Sequence, residues 1–114
     1  MKILLIGLGR WGQTHLRVLS ELGIEVWVSD LSAERREWAV KTARLNPRRA
    51  VADFREALDQ VDAVDLVTPA DTHLALATEC LRAGNDCFVE KPLTRTVEEA
   101  ERLAAVVNAT GRIL

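Results

Sequence analysis

A glycine hexapeptide, Gly7-Leu8-Gly9-Arg10-Trp11-Gly12, stands between a short apolar run and a segment of helical period. At this spacing the first glycine permits a tight turn, the second lets backbone approach a pyrophosphate, and the third allows close helix-strand contact. The free N–H groups and positive dipole end of the helix then face the anion. Asp30 follows Gly12 by eighteen residues, at the end of the next apolar run. A carboxylate there can accept hydrogen bonds from an adenosine ribose. The plainer reading, that the glycines only turn the chain and Asp30 opens the next turn, is weakened by the strand-loop-helix context.

Asp30 favours NAD, because a carboxylate repels a ribose 2′-phosphate. Arg35, Arg36, Lys41, Arg44, Arg48 and Arg49 make the following segment basic and keep NADP open, although most of them read as a solvated helix face.

Two more polar segments, Thr68-Pro69-Ala70-Asp71-Thr72-His73 and Glu90-Lys91-Pro92, each follow a later apolar run. Both are expected at the carboxyl ends of strands, on the edge that carries the glycine loop, where open α/β sheets bind ligands. His73 has two readings: a crevice contact, or a histidine that satisfies nearby backbone at the start of an apolar helix. His15 and Trp11 read first as packing groups, on one stripe with Val18, Leu19 and Leu22. Cys80 and Cys87 lie seven apart, the spacing of neither a zinc site nor a redox pair. They are expected to be reduced and buried, and no metal is invoked.

These groups need elements to hold them. Apolar runs of four to seven residues alternate with helical segments, a pattern that predicts α/β architecture with a parallel sheet covered on both faces. The strands are expected at Lys2 to Ile6, Glu25 to Ser29, Ala50 to Ala52, Ala63 to Val67 and Asp86 to Val89. Arg112-Ile113-Leu114 reads as the start of a sixth strand, so the terminus reads as a domain boundary. Ser32 can cap a helix to about Leu45, stopped by Asn46-Pro47. Asp53-Phe54-Arg55-Glu56 and Thr96-Val97-Glu98-Glu99 both carry the capping-box signature of a helix start. Gly23, Gly84 and Gly111 sit where helices should stop.

A chain of 114 residues supports one core. Fifteen basic against seventeen acidic side chains give a net charge of −2, so nucleic acid is not an expected partner. No apolar run approaches the roughly 18 residues of a membrane span, and a cytoplasmic protein is the simpler expectation.

Taken together, the glycine loop with His15 three beyond Gly12, Asp30, the Thr68-Pro69 to His73 segment, Ala83-Gly84 and Glu90-Lys91-Pro92 resemble the N-terminal domain of the glucose-fructose oxidoreductase and inositol dehydrogenase family, Gfo/Idh/MocA. The resemblance implies a doubly wound Rossmann-type fold over residues 1–114 and an NAD(P)-dependent oxidoreductase acting on a sugar, cyclitol or polyol. It places Lys91 near nicotinamide and substrate as the candidate catalytic group, and implies a cis bond before Pro92. The candidate cofactor contacts are Gly7, Leu8, Gly9, Arg10, Trp11, Gly12, Asp30, Thr68, Pro69, His73, Glu90, Lys91 and Pro92. Ala70 departs from the asparagine the family often has after Thr-Pro. The family's second domain, which carries an acid-base pair, most substrate contacts and the main subunit interface of a homo-oligomer, is absent from the sequence. The chain is therefore expected to bind cofactor without completing catalysis. A stand-alone dinucleotide sensor is the alternative, and coenzyme A is disfavoured by the acid at Asp30.

Overall fold

Continuous apolar runs form the strands and polar, capped segments the helices of the computed structural model, which describes residues 1–114. In chain order these are β1 (Lys2–Ile6), α1 (Arg10–Glu21), β2 (Glu25–Ser29), α2 (Ala33–Ala43), β3 (Ala50–Val51), β4 (Ala63–Leu66), α3 (His73–Arg82), β5 (Asp86–Val89) and α4 (Val97–Thr110). All pairings are parallel and the spatial order is β3-β2-β1-β4-β5. The order reverses beside β1, so the loops after β1 and β4 diverge and leave a crevice at the strands' carboxyl ends.

Strand alternation divides the core into two layers. Leu4 and Ile6 of β1 face a layer with Val64, Leu66, Ala77, Cys80, Leu81 and Leu103, beneath α3 and α4. Leu5 faces the other layer with Leu16, Val26, Val28 and Ala39, beneath α1 and α2. Cys80 and Cys87 are buried free thiols, and their mutual contact together with burial pushes the Cys80 pKa up.

Capping follows the sequence closely. Ser32 Oγ accepts from Arg35 N–H at 3.3 Å, and Thr96 Oγ1 from Glu99 N–H at 3.1 Å. The Glu99 carboxylate accepts from Arg95 N–H at 3.0 Å rather than from the cap residue itself, a variant of the capping box. α2 stops at Ala43, with Arg44 in the left-handed region at φ 53.

Two expectations are corrected. The segment after β3 is a 3₁₀ helix, Phe54–Gln60, not an α-helix. Asp53 Oδ1 accepts from Arg55 N–H, two residues on, and the eleven residues between Val51 and Ala63 must span the gap from β3 to β4. The buried face of α1 is Gly12 and Leu16, whereas Trp11, Val18 and Leu22 are exposed. The expected start of a sixth strand is one ladder bond, Cys87 N–H to the Ile113 carbonyl at 2.9 Å, on the free edge of β5.

Candidate functional site

The crevice has a volume of about 1340 Å³ and is lined by Gly7, Gly9, Arg10, Trp11, Gly12, Asp30, Thr68, Pro69, Glu90 and Lys91 among others. That is larger than a typical drug-sized pocket and suits an extended ligand such as a dinucleotide.

Its floor is the glycine loop. Gly7 has φ +99, and a side chain there would strike the Val67 carbonyl. A Cβ on Gly12 would strike the Gly7 carbonyl, so α1 can approach β1 only with glycine at that position. A Cβ on Gly9 would meet nothing within 4 Å and would project into open space. α1 begins with no side-chain cap, and the N–H groups of Gly9, Arg10, Trp11 and Gly12 have no partner in the protein. Such a helix start is a ready anion site.

Asp30 closes this end. Its Oδ2 accepts from Leu8 N–H and its Oδ1 from Ser32 N–H, both at 2.8 Å, and Arg35 Nη1 lies 3.8 Å from Oδ2. Each carboxylate oxygen retains a lone pair. Asp30 therefore both braces the glycine loop and can accept from a ligand hydroxyl. Arg36 is committed elsewhere, donating to the carbonyls of Asp30 and Leu31.

At the opposite end Glu90 and Lys91 follow β5, and the Lys91–Pro92 bond is cis. No carboxylate lies within 4 Å of the Lys91 ammonium, which is free to meet a ligand. His15 of α1 stands behind this loop. Its Nδ1 is 2.8 Å from Asp65 Oδ2 and its Nε2 is 3.1 Å from Glu90 Oε2.

Three expected contacts fall outside the crevice. Leu8 is buried in the core and spends its N–H on Asp30. His73 is 1% exposed, with Nδ1 at 2.9 Å from the Pro92 carbonyl and 3.1 Å from the Leu93 carbonyl, and Nε2 at 2.8 Å from the Thr68 carbonyl. It ties the two loops together from behind. Pro92 contributes that carbonyl and does not line the cavity. Trp11, read first as packing, is 60% exposed at the crevice mouth, because Gly12 and not Trp11 faces the sheet.

Other wall residues lie outside the candidate contacts named from the sequence. Leu31, Ser32 and Arg35 follow β2, while Phe54 and Arg55 follow β3. The Arg55 guanidinium lies 4.6 Å over the Phe54 ring and pairs with Glu79 and Asp53. Their sequence signals are those of helix caps and of a basic segment, and only their position after strand ends points to the crevice.

Asp65 is the buried carboxylate that motif reading passes over. Desolvation holds its pKa above the ordinary carboxylate value, partly offset by the bond to His15. An acid with a raised folded pKa contributes stability that is fully present below its unfolded pKa, about 4, and is lost as pH rises through the folded value. Urea melts between pH 4 and 7 should therefore show the wild-type chain losing stability relative to Asp65→Asn as pH rises. A constant difference across that window would contradict the assignment.

A family model described as "Oxidoreductase family, NAD-binding Rossmann fold" matches residues 1–114. The UDP-N-acetylglucosamine 3-dehydrogenase of Acidithiobacillus ferrooxidans is 34% identical over 114 residues, 100% of this chain and 36% of that protein. Its solved structure superposes with a TM-score of 0.90 at 32% identity, covering 100% of this chain and 37% of that one. The inositol 2-dehydrogenase of Paracoccus denitrificans is 32% identical over 118 residues, 100% of this chain and 35% of that protein. A structure of scyllo-inositol dehydrogenase from Lactobacillus casei, described with bound NAD(H) and scyllo-inositol, gives a TM-score of 0.86 at 26% identity over 99% of this chain and 34% of that one. The chain thus spans about a third of the length of the curated relatives it matches.

Proposed function

Because the chain belongs to the Gfo/Idh/MocA oxidoreductase family, with its NAD-binding Rossmann fold, we propose that its crevice holds NAD(H) and presents the nicotinamide to a sugar, cyclitol or related polyol. The observation that carries this reading is the uncapped start of α1, whose unpartnered N–H groups from Gly9 to Gly12 face a cavity that Asp30 bounds. The pyrophosphate is held by those N–H groups, and the adenosine ribose by the remaining lone pairs of Asp30. When bound, the nicotinamide supplies the hydride chemistry. The Lys91 ammonium, unpaired at the far end, hydrogen-bonds the reacting oxygen and stabilises the charge it develops. Acid-base groups and most substrate contacts belong to a second domain, in keeping with relatives about three times as long. NAD is preferred over NADP because a 2′-phosphate would meet the Asp30 carboxylate, while exposed Arg35 is the group through which NADP would be tolerated. The two buried free thiols suit a reducing compartment such as the cytoplasm.

Calorimetric titration with NAD, NADH and NADP tests the reading. Saturable binding of NAD over NADP is expected. Asp30→Ala should weaken it by about 30- to 150-fold, the worth of two hydrogen bonds to the ribose at about 1 to 1.5 kcal/mol each. Absence of binding by a chain shown to be folded would overturn it.

A further inference from the structure

His15 sits where an apolar side chain would pack α1 on the sheet more cheaply. It instead bridges Asp65, on the interior strand β4, and Glu90, at the end of β5. The side chains of His15 and Asp65 are 18% and 7% exposed, and Asp65 Oδ1 has no partner at all. Buried ionic networks of this kind seldom gain stability over a well-packed apolar equivalent, so a stability role alone is a weak explanation. Both ring nitrogens face carboxylate oxygens, so the imidazole links the two acids across α1.

The position of the network supplies the stronger reason. Glu90 directly precedes Lys91, its N–H is tied to the Leu66 carbonyl at 2.9 Å, and its carboxylate is held by His15. Lys91 is left without an acidic partner. α1, which carries His15, also opens with the unpartnered N–H groups of the glycine loop.

We propose that His15 is a positioning residue for Lys91: by holding the Glu90 carboxylate against α1, it keeps that carboxylate off the neighbouring ammonium and ties the lysine to the helix that carries the anion-binding loop. Asp65 anchors the imidazole from the sheet side, so the lysine's placement depends on a chain of contacts running from β4 through α1 to the end of β5. The proposal rests on the reading of the crevice as a nicotinamide dinucleotide site. It adds the group that keeps the candidate catalytic ammonium available there.

The chain has three lysines, Lys2, Lys41 and Lys91, and the α-amine of Met1, so reductive ¹³C-methylation gives four NMR signals, of which that of Lys91 is assigned with Lys91→Arg. In the wild-type chain NADH should shift the Lys91 signal and leave the others in place. In His15→Gln the Lys91 signal should move before any NADH is added, toward that of an ion-paired ammonium, and its response to saturating NADH should be lost. Glu90→Asp, which shortens the carboxylate away from His15 but leaves it beside the lysine, should show the same shift and serves if His15→Gln does not fold. The decisive variant is His15→Gln/Glu90→Gln, which removes the competing carboxylate and should return the Lys91 signal to its wild-type position. A merely structural His15 predicts no such rescue. The proposal is overturned if Lys91 is unmoved in both single variants, or if its shift persists in the double variant. A wild-type Lys91 that ignores NADH would instead count against the crevice reading, since the His15 link is read in the NADH-free spectra.

Discussion

Gly12→Ala should destabilise the chain by about 3 kcal/mol and abolish NADH binding, while Gly9→Ala should leave stability unchanged and abolish binding alone. In an ordinary helix interior, alanine gains about 1 kcal/mol over glycine. At Gly12 that gain is outweighed, because the added methyl meets the backbone carbonyl of Gly7, an atom with no rotamer to escape into. Overpacking against a well-packed neighbour costs about 1 to 3 kcal/mol, and more where backbone must move. The shift forced on the loop also displaces the N–H groups of Gly9 to Gly12 that are proposed to hold the pyrophosphate. At Gly9 the added methyl meets no protein atom within 4 Å, and its backbone at φ −69 is open to any residue. A loss of binding there can come only from the space a ligand needs. Thermal melts and NADH fluorescence titrations of both variants make the check. Tight binding by Gly9→Ala would remove the pyrophosphate from this loop.

This pair of glycines also shows how much of the site could be read from sequence. Their spacing after an apolar run places them at a strand-to-helix turn, and the structure assigns each the geometry that the spacing implies. The same logic of strand ends located Asp30, Thr68, Pro69, Glu90 and Lys91 on one crevice. It failed where a residue's chemistry is set by tertiary neighbours. The stripe on α1 was misplaced because period reading counts large apolar side chains, and the residue that faces the sheet at closest approach is Gly12, which has none. Trp11 is thereby turned outward to the crevice mouth. Asp65 lay inside an apolar run and read as one more strand residue. Its signal was available, since an aspartate in an interior strand must be paired, but the partner comes from α1, fifty positions away. The 3₁₀ segment after β3 began with the capping signature of an α-helix and was shortened by the reach to β4, a constraint that local sequence does not carry.

His73→Ala is expected to cost about 3 to 5 kcal/mol and to weaken NADH binding without touching the crevice wall. The ring is 1% exposed and lies within hydrogen-bond distance of three carbonyls, those of Thr68, Pro92 and Leu93. Truncation removes the ring's hydrogen bonding to these loop carbonyls and empties the buried volume that the ring filled. Each bond so lost costs about 1 to 3 kcal/mol, and the vacated volume adds a cavity penalty. For a domain of this size the melting temperature should fall by roughly 10 °C or more. The functional consequence follows from what the carbonyls belong to. Thr68 heads the loop after β4, and Pro92 follows Lys91, so His73 is the contact that fixes the two polar loops of the crevice relative to each other. Loosening it lets Lys91 drift from the wall that Thr68 and Pro69 form, while the glycine loop stays in place. The affinity loss should therefore appear for NADH, which spans both ends, and be small for ADP-ribose, which lacks the nicotinamide and depends on the glycine-loop end. Equal losses for the two ligands, in a variant that still melts cooperatively, would show that His73 supports the fold as a whole and not the loop that carries Lys91.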